Sequence, residues 1–139
     1  MKLLLDTNVV SELRKVRSGK ADGRVAEWAR QADITTLYLP AITLMELELG
    51  VLLAERRDAR QGALLRGWLN EQVLPSFDGR IVAADGAVAL RAAAMHVPDP
   101  RPMRDALIAA TALVHDMTVV TRDVGDFVPC GVSVLNPWT

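Results

Sequence analysis

The chain has little of what several chemistries require. Its 139 residues include one cysteine, Cys130, and two histidines, His96 and His115. A single cysteine excludes an intramolecular disulfide and any Cys-x-x-Cys metal knuckle, and it suits a reducing compartment. Aromatic residues make up only 4%, so stacking of bases on aromatic faces is not expected to dominate any recognition of nucleic acid. The N-terminal apolar run, Leu3 to Leu5 after Lys2, is far too short for a signal sequence or a membrane span, which leads to the expectation of a cytoplasmic protein with no membrane partner. Charge of one sign is also missing. The formal net charge is -1, so any nucleic-acid binding rests on a local basic patch. There is no internal repeat, low-complexity tract or dividing linker, and residues 1–139 read as a single domain.

What is present is an alternation of apolar segments with different periods. Half of the residues are hydrophobic and 24% are charged, as in an ordinary globular protein with one core. Short apolar runs at 2–5, 37–39, 81–83, 118–121 and 132–135 read as strands. Helical patterns occupy 9–16, 25–32, 42–55, 63–74, 86–95 and 103–115, with an apolar stripe at Ile42, Met45, Leu49, Leu52 and Leu53 on the third of them. A polar, basic loop covers 15–24. Pro98 and Pro100 break the chain before a helix whose first turn suits Pro102. Strands alternating with helices predict a parallel sheet of about five strands covered on both faces.

Four acidic residues adjoin these apolar segments. Asp6 ends the first strand, Glu46 flanks the apolar stripe of its helix, Asp105 lies in a helix first turn, and Asp123 follows the strand 118–121. A carboxylate beside a core-forming run is costly unless it is paired or binds a cation. Each residue also has an ordinary explanation. Asp6 and Asp123 suit helix caps, Glu46 suits a solvated helix face, and Asp105 is favoured by the helix dipole. Asp126 competes with Asp123. Taken together, however, four acids brought to one sheet edge would repel unless a cation neutralised them. Oxygen donors without a Cys/His cluster favour Mg²⁺ or Mn²⁺ over zinc. His96 and His115 read as helix-end residues and Cys130 as a small packing residue. Arg14, Lys15, Arg17, Lys20 and Arg24 could contact nucleic acid, but the loop among them could equally be solvated surface. Arg101, Arg104 and Arg122 lie next to the acids, and Arg104 and Arg122 are the better candidates for contact with nucleic acid or with a protein partner.

The ordered set LLDTNVVSEL, Glu46 in MELELG, and RDALIAATALVHDMTVVTRDVGDF resembles the PIN-domain ribonucleases, in particular the VapC-type toxins of bacterial toxin–antitoxin modules and their FitB-like branch; the ending VLNPW is similar too. The resemblance spans essentially the whole chain. It implies a three-layer α/β/α sandwich and a metal-dependent endoribonuclease, a type II toxin inhibited by a cognate antitoxin. It matches Asp6, Glu46, Asp105 and Asp123 to the family's catalytic, metal-binding acids. Thr7, Asn8 and Thr121 match supporting polar positions, and Asp126 is a further acid that could assist. It also implies a homodimer, and a heterotetramer or larger assembly with antitoxin. Residues 57–91 carry no family motif and are silent on the RNA target. Two other classes fit less well. A haloacid-dehalogenase-like phosphatase needs Asp-x-Asp where this chain has Asp6-Thr7-Asn8, and a receiver domain needs an acidic pair that is missing. A PIN-like module that binds RNA without cutting it would not need all four acids.

Overall fold

The computed structural model describes every residue from Met1 to Thr139. Five parallel strands form one sheet in the order β3-β2-β1-β4-β5. They are β1 (Leu3–Leu5), β2 (Leu37–Pro40), β3 (Ile81–Val82), β4 (Thr118–Val120) and β5 (Val134–Leu135). Between β1 and β2 lie α1 (Thr7–Leu13) and α2 (Gly23–Gln31). Between β2 and β3 lie α3 (Ala41–Arg57) and α4 (Ala59–Trp68), the latter running through a π-turn at Leu69–Val73 into α5 (Leu74–Ser76). Then come α6 (Gly86–Ala94) and α7 (Met103–Val114) before β4, and the short α8 (Val124–Phe127) before β5. The expected five-stranded sandwich is therefore present, and no helix is long and apolar enough to cross a membrane.

Strand side chains alternate between two cores, as the pleat requires. Leu3, Leu5, Leu37, Leu39 and Val120 face α1, α3 and the π-turn, where Val9, Val10, Leu47, Val51, Leu69 and Val73 are buried. Leu4 and Val119 face the other way, onto Ile108, Ala109 and Ala112 of α7 and Phe127 of α8. A sheet buried on both sides explains why its strands are continuous apolar runs rather than alternating ones. Behind α7, the small residues Ala92, Ala106 and Ala110 let α6 pack closely against it.

One expectation is corrected, and the structure adds detail at two other places. The stripe on α3 is on the wrong face: Met45, Leu49, Leu52 and Leu53 are half exposed, whereas Thr43, Leu47, Val51 and Ala54 are buried. Helices α3 and α4 form a hairpin with a very short turn. Asp58 alone ends α3 by donating its N–H to Ala54 O, and caps α4 by accepting from the amides of Arg60 and Gln61. Helix α8 is additional to the expected elements.

Candidate active site

The chain leaves β1 for β2 on one side and later returns to place β4 on the other. This reversal of strand order lies at the carboxyl ends of β1 and β4, the usual location of a site in a parallel sheet. Asp6 is the first residue after β1 and Thr121 the first after β4. Asp6 is only 1% exposed. Its Oδ1 accepts the Thr7 amide at 2.7 Å, so it caps α1, and its Oδ2 accepts the Thr121 hydroxyl at 2.7 Å. The cap and the contact to Thr121 thus use different oxygens of the one carboxylate.

Helix α3 brings in Glu46. The buried Thr43 hydroxyl donates to Leu5 O at 3.0 Å, tying the start of α3 to the end of β1. Glu46 lies almost one turn on, and its Oε1 accepts the Thr7 hydroxyl at 2.6 Å. Helix α7 supplies Asp105, only 6% exposed in its first turn. Asp6, Glu46 and Asp105 all meet at one point, the guanidinium of Arg104. Its Nη2 donates to Asp6 Oδ1 at 2.6 Å and to Glu46 Oε1 at 2.7 Å, its Nε to Glu46 Oε2 at 2.9 Å, and its Nη1 to Asp105 Oδ1 at 2.8 Å.

The remaining expected residues lie around this node. Asp123 stands at the exposed rim and does not cap α8 with its side chain. It accepts instead from Asn8 Nδ2 at 3.1 Å, while its amide donates to Thr121 Oγ1 at 3.0 Å. Asn8 and Thr121 therefore link it to Asp6. Asp126 is exposed in the first turn of α8 and close enough to raise the Asp105 acid. Arg122 points elsewhere and stacks over the Trp138 ring at 5.4 Å. Arg104, expected to face RNA or an inhibitor, is turned into the acids. His96 Nδ1 accepts the Arg101 amide at 3.2 Å just beyond α6, a helix-end role. Thr43 was missed altogether; its one signal is a hydroxyl on the buried face of an apolar helix.

The electrostatics divide the acids. Burial pushes the Glu46 carboxyl up, but hydrogen bonds from Arg104 and Thr7 outweigh it and hold Glu46 below the usual carboxylate range. At Asp105 burial prevails: its acid is raised despite Arg104, with Asp126 and Asp6 adding to the rise. Arg104 is itself raised, by hydrogen bonding to Glu46 and Asp6 against the cost of burial, so it is firmly cationic. One guanidinium against three carboxylates leaves two negative charges uncompensated. The donor set is all oxygen, which fits a hard divalent ion. The guanidinium fills the point where the three carboxylates meet, and no three of these side chains are arranged to hold a metal.

Residues 3–127 match the family model described as PIN domain. This chain belongs to the PIN-domain family. Among PIN relatives, it is similar to toxin FitB of Neisseria gonorrhoeae, with 38% identity over 141 residues covering 98% of each chain. It is also similar to VapC ribonuclease Y4jK of Sinorhizobium fredii, at 36% identity covering 98% of this chain and 97% of the relative. The PIN fold superposes on the crystal structure of FitAcB from Neisseria gonorrhoeae with a TM-score of 0.88 at 38% identity, covering 98% of each chain.

Proposed function

We propose that residues 1–139 act as one PIN domain, a Mg²⁺-dependent endoribonuclease that is the toxin of a type II toxin–antitoxin pair. One observation supports this reading above the others: Asp6, Glu46 and Asp105, from β1's end, α3 and α7, converge on a single cation position at the sheet's switch point. The likeness to a toxin and to a VapC ribonuclease supplies the substrate class, RNA. A toxin must be restrained where it is made, so the partners are a cognate antitoxin and, in the cytoplasm, RNA; the assembly is a homodimer, or a heterotetramer or larger with antitoxin.

In this mechanism Asp6 and Asp105, the two most buried acids, would hold Mg²⁺ (or Mn²⁺), and Glu46 and Asp123 would complete the site. When bound, the ion supplies positive charge to the scissile phosphate and acidifies a water molecule. The side chains do the rest. Thr121 fixes Asp6 through Oδ2 and Thr7 fixes Glu46 through Oε1, so both carboxylates are held in orientation before substrate arrives. A Glu46 or Asp123 oxygen would take the proton from the attacking water. Water adds to phosphorus and the bond to the leaving sugar oxygen breaks. Asn8 holds Asp123 at the rim for that task.

The test is cleavage of pooled cellular RNA by purified, antitoxin-free protein with Mg²⁺, with EDTA and with Asp6→Asn. Mg²⁺-dependent fragments that vanish in EDTA and in the variant are expected. Equal cleavage by Asp6→Asn would overturn the assignment of the site, and a folded protein that binds the ion yet cuts no RNA would favour a binding module.

A further inference from the structure

We propose that Arg104 is a built-in competitor for the metal: it holds the acid cluster together in the ion-free protein and must leave when a divalent ion binds. The inference rests on the metal-dependent reading above. Arg104 occupies the inward oxygens of all three convergent acids, Asp6 Oδ1, Glu46 Oε1 and Asp105 Oδ1. A divalent ion of the Mg²⁺ type needs donor oxygens at about 2.0–2.1 Å around it. Oxygens spread by a guanidinium cannot close on such an ion at the same time, so the two occupants exclude each other.

Charge explains why a resident cation is needed. Asp6 and Asp105 are both buried, and the ion-free cluster without Arg104 would face three mutually repelling carboxylates with little water to screen them. Arg104 is also able to leave. It sits in the first turn of α7 beside Asp105, its side chain is 34% exposed, and a long flexible stem carries the head. Arginine occupancy therefore weakens ion binding by the free energy of the contacts that have to be broken. In return the ion-free site keeps its geometry.

The experiment measures Mn²⁺ binding by calorimetry, and by the electron paramagnetic resonance signal of the free ion, on wild type, Arg104→Met and Arg104→Lys after EDTA treatment and desalting. Arg104→Met is expected to bind Mn²⁺ at least about tenfold more tightly than wild type, since several charge-assisted hydrogen bonds no longer oppose the ion. Arg104→Lys is expected between the two, because an ammonium cannot fork across three carboxylates; it serves as the comparison should the Met variant fail to fold without metal. In Arg104→Ala, millimolar guanidinium ion is expected to weaken Mn²⁺ binding, with no such effect on wild type. Equal or weaker Mn²⁺ binding by the variants overturns the proposal while leaving the metal-dependent nuclease standing. If neither wild type nor variants bind Mn²⁺, both fall; if only the variants bind, the competitor role is upheld in its strongest form.

Discussion

Two arginines in this fold grip carboxylates in nearly the same way, and their surroundings make them different devices. Arg66 on α4 is bidentate to Glu48 at 2.6 and 2.8 Å and reaches Glu55 at 3.1 Å, both on α3. Arg104 is bidentate to Glu46 and reaches Asp6 and Asp105. The two arginine side chains are similarly exposed, 28% and 34%. The partners are not alike. Glu48 and Glu55 are 41% and 38% exposed and belong to one hairpin, so water can replace the arginine at small cost. Asp6 and Asp105 are buried and are brought together from opposite ends of the chain. Water cannot stand in for a cation there. The same fork is a surface clasp in one place and an obligatory countercharge in the other.

The largest expected effect tests this contrast through activity. Changes to groups that merely orient a metal ligand typically cost about 10- to 100-fold, so Asp105→Asn, which alters a proposed ligand itself, is expected to lose at least that much RNA cleavage. Glu48→Gln, which breaks the outer clasp, is expected to leave the rate unchanged. Both are read from initial rates on one RNA at saturating Mg²⁺, with circular dichroism to show that each variant is folded. A large rate loss in Glu48→Gln would mean that the hairpin clasp is part of the site.

A second effect belongs to the hairpin alone. Gly62 is buried where α4 crosses α3, and a Cβ there would lie 2.7 Å from both the backbone N and the Cγ of Glu55, and closer still to its Cα. Backbone cannot yield as a side chain can. Gly62→Ala is expected to destabilise the protein by about 1–3 kcal/mol, the usual cost of overpacking, measured as the shift of the urea midpoint. The clasp of Arg66 on Glu55 should loosen with it, while Mn²⁺ affinity at the distant node stays as in wild type. A neutral Gly62→Ala would show that the helices are free to separate.

These regions also differ in how far they could be read in advance. The strands were legible because each is a short apolar run between helical periods, and Asp6 and Asp123 were legible because they stand where such runs stop. Asp105 was legible from its first turn after Pro102. Glu46 was a weaker inference because α3 is apolar nearly all round. Leu44, Met45, Leu49, Leu52 and Leu53 compete with the true buried face, and Thr43 is buried only because its hydroxyl finds Leu5 O. That partner is supplied by the tertiary structure, and no periodicity announces it. Arg104 was marked as a cation beside the acids, but its direction was not foreseen. Adjacent residues on a helix point about 100° apart, so Arg104 should face away from Asp105, and only a long side chain folding back across the first turn brings it in. The bidentate clasp of Glu48 and Arg66 was missed, since Glu48 reads as a solvated residue and pairing across a hairpin depends on a crossing that sequence does not specify.

The smallest expected effect is one of sign, and it separates the two nodes most sharply. Hydrogen bonds from Arg66 lower the Glu48 acid below its ordinary value of 4.5, against a small opposing effect of burial. A carboxylate lowered in the folded state contributes stability that is present above its unfolded value and is lost as pH falls through the folded one. Glu48→Gln should therefore be less stable than wild type at pH 7, with the gap closing below about pH 4.5 as Glu48 takes up its proton. Asp105 runs the other way. Burial raises its acid, with Asp126 and Asp6 adding to the rise, so the folded state holds the proton more tightly than the unfolded chain does. Stability then falls as pH rises through the unfolded and folded values and stays lower above them. In EDTA, Asp105→Asn should accordingly be more stable than wild type at pH 7, and the advantage should shrink on acidification. Urea midpoints of the two variants and wild type at pH 7, 5 and 4 decide the matter. If both variants shift in the same direction at pH 7, the buried node is as relaxed as the surface clasp, and the uncompensated charge around Arg104 is not what distinguishes it.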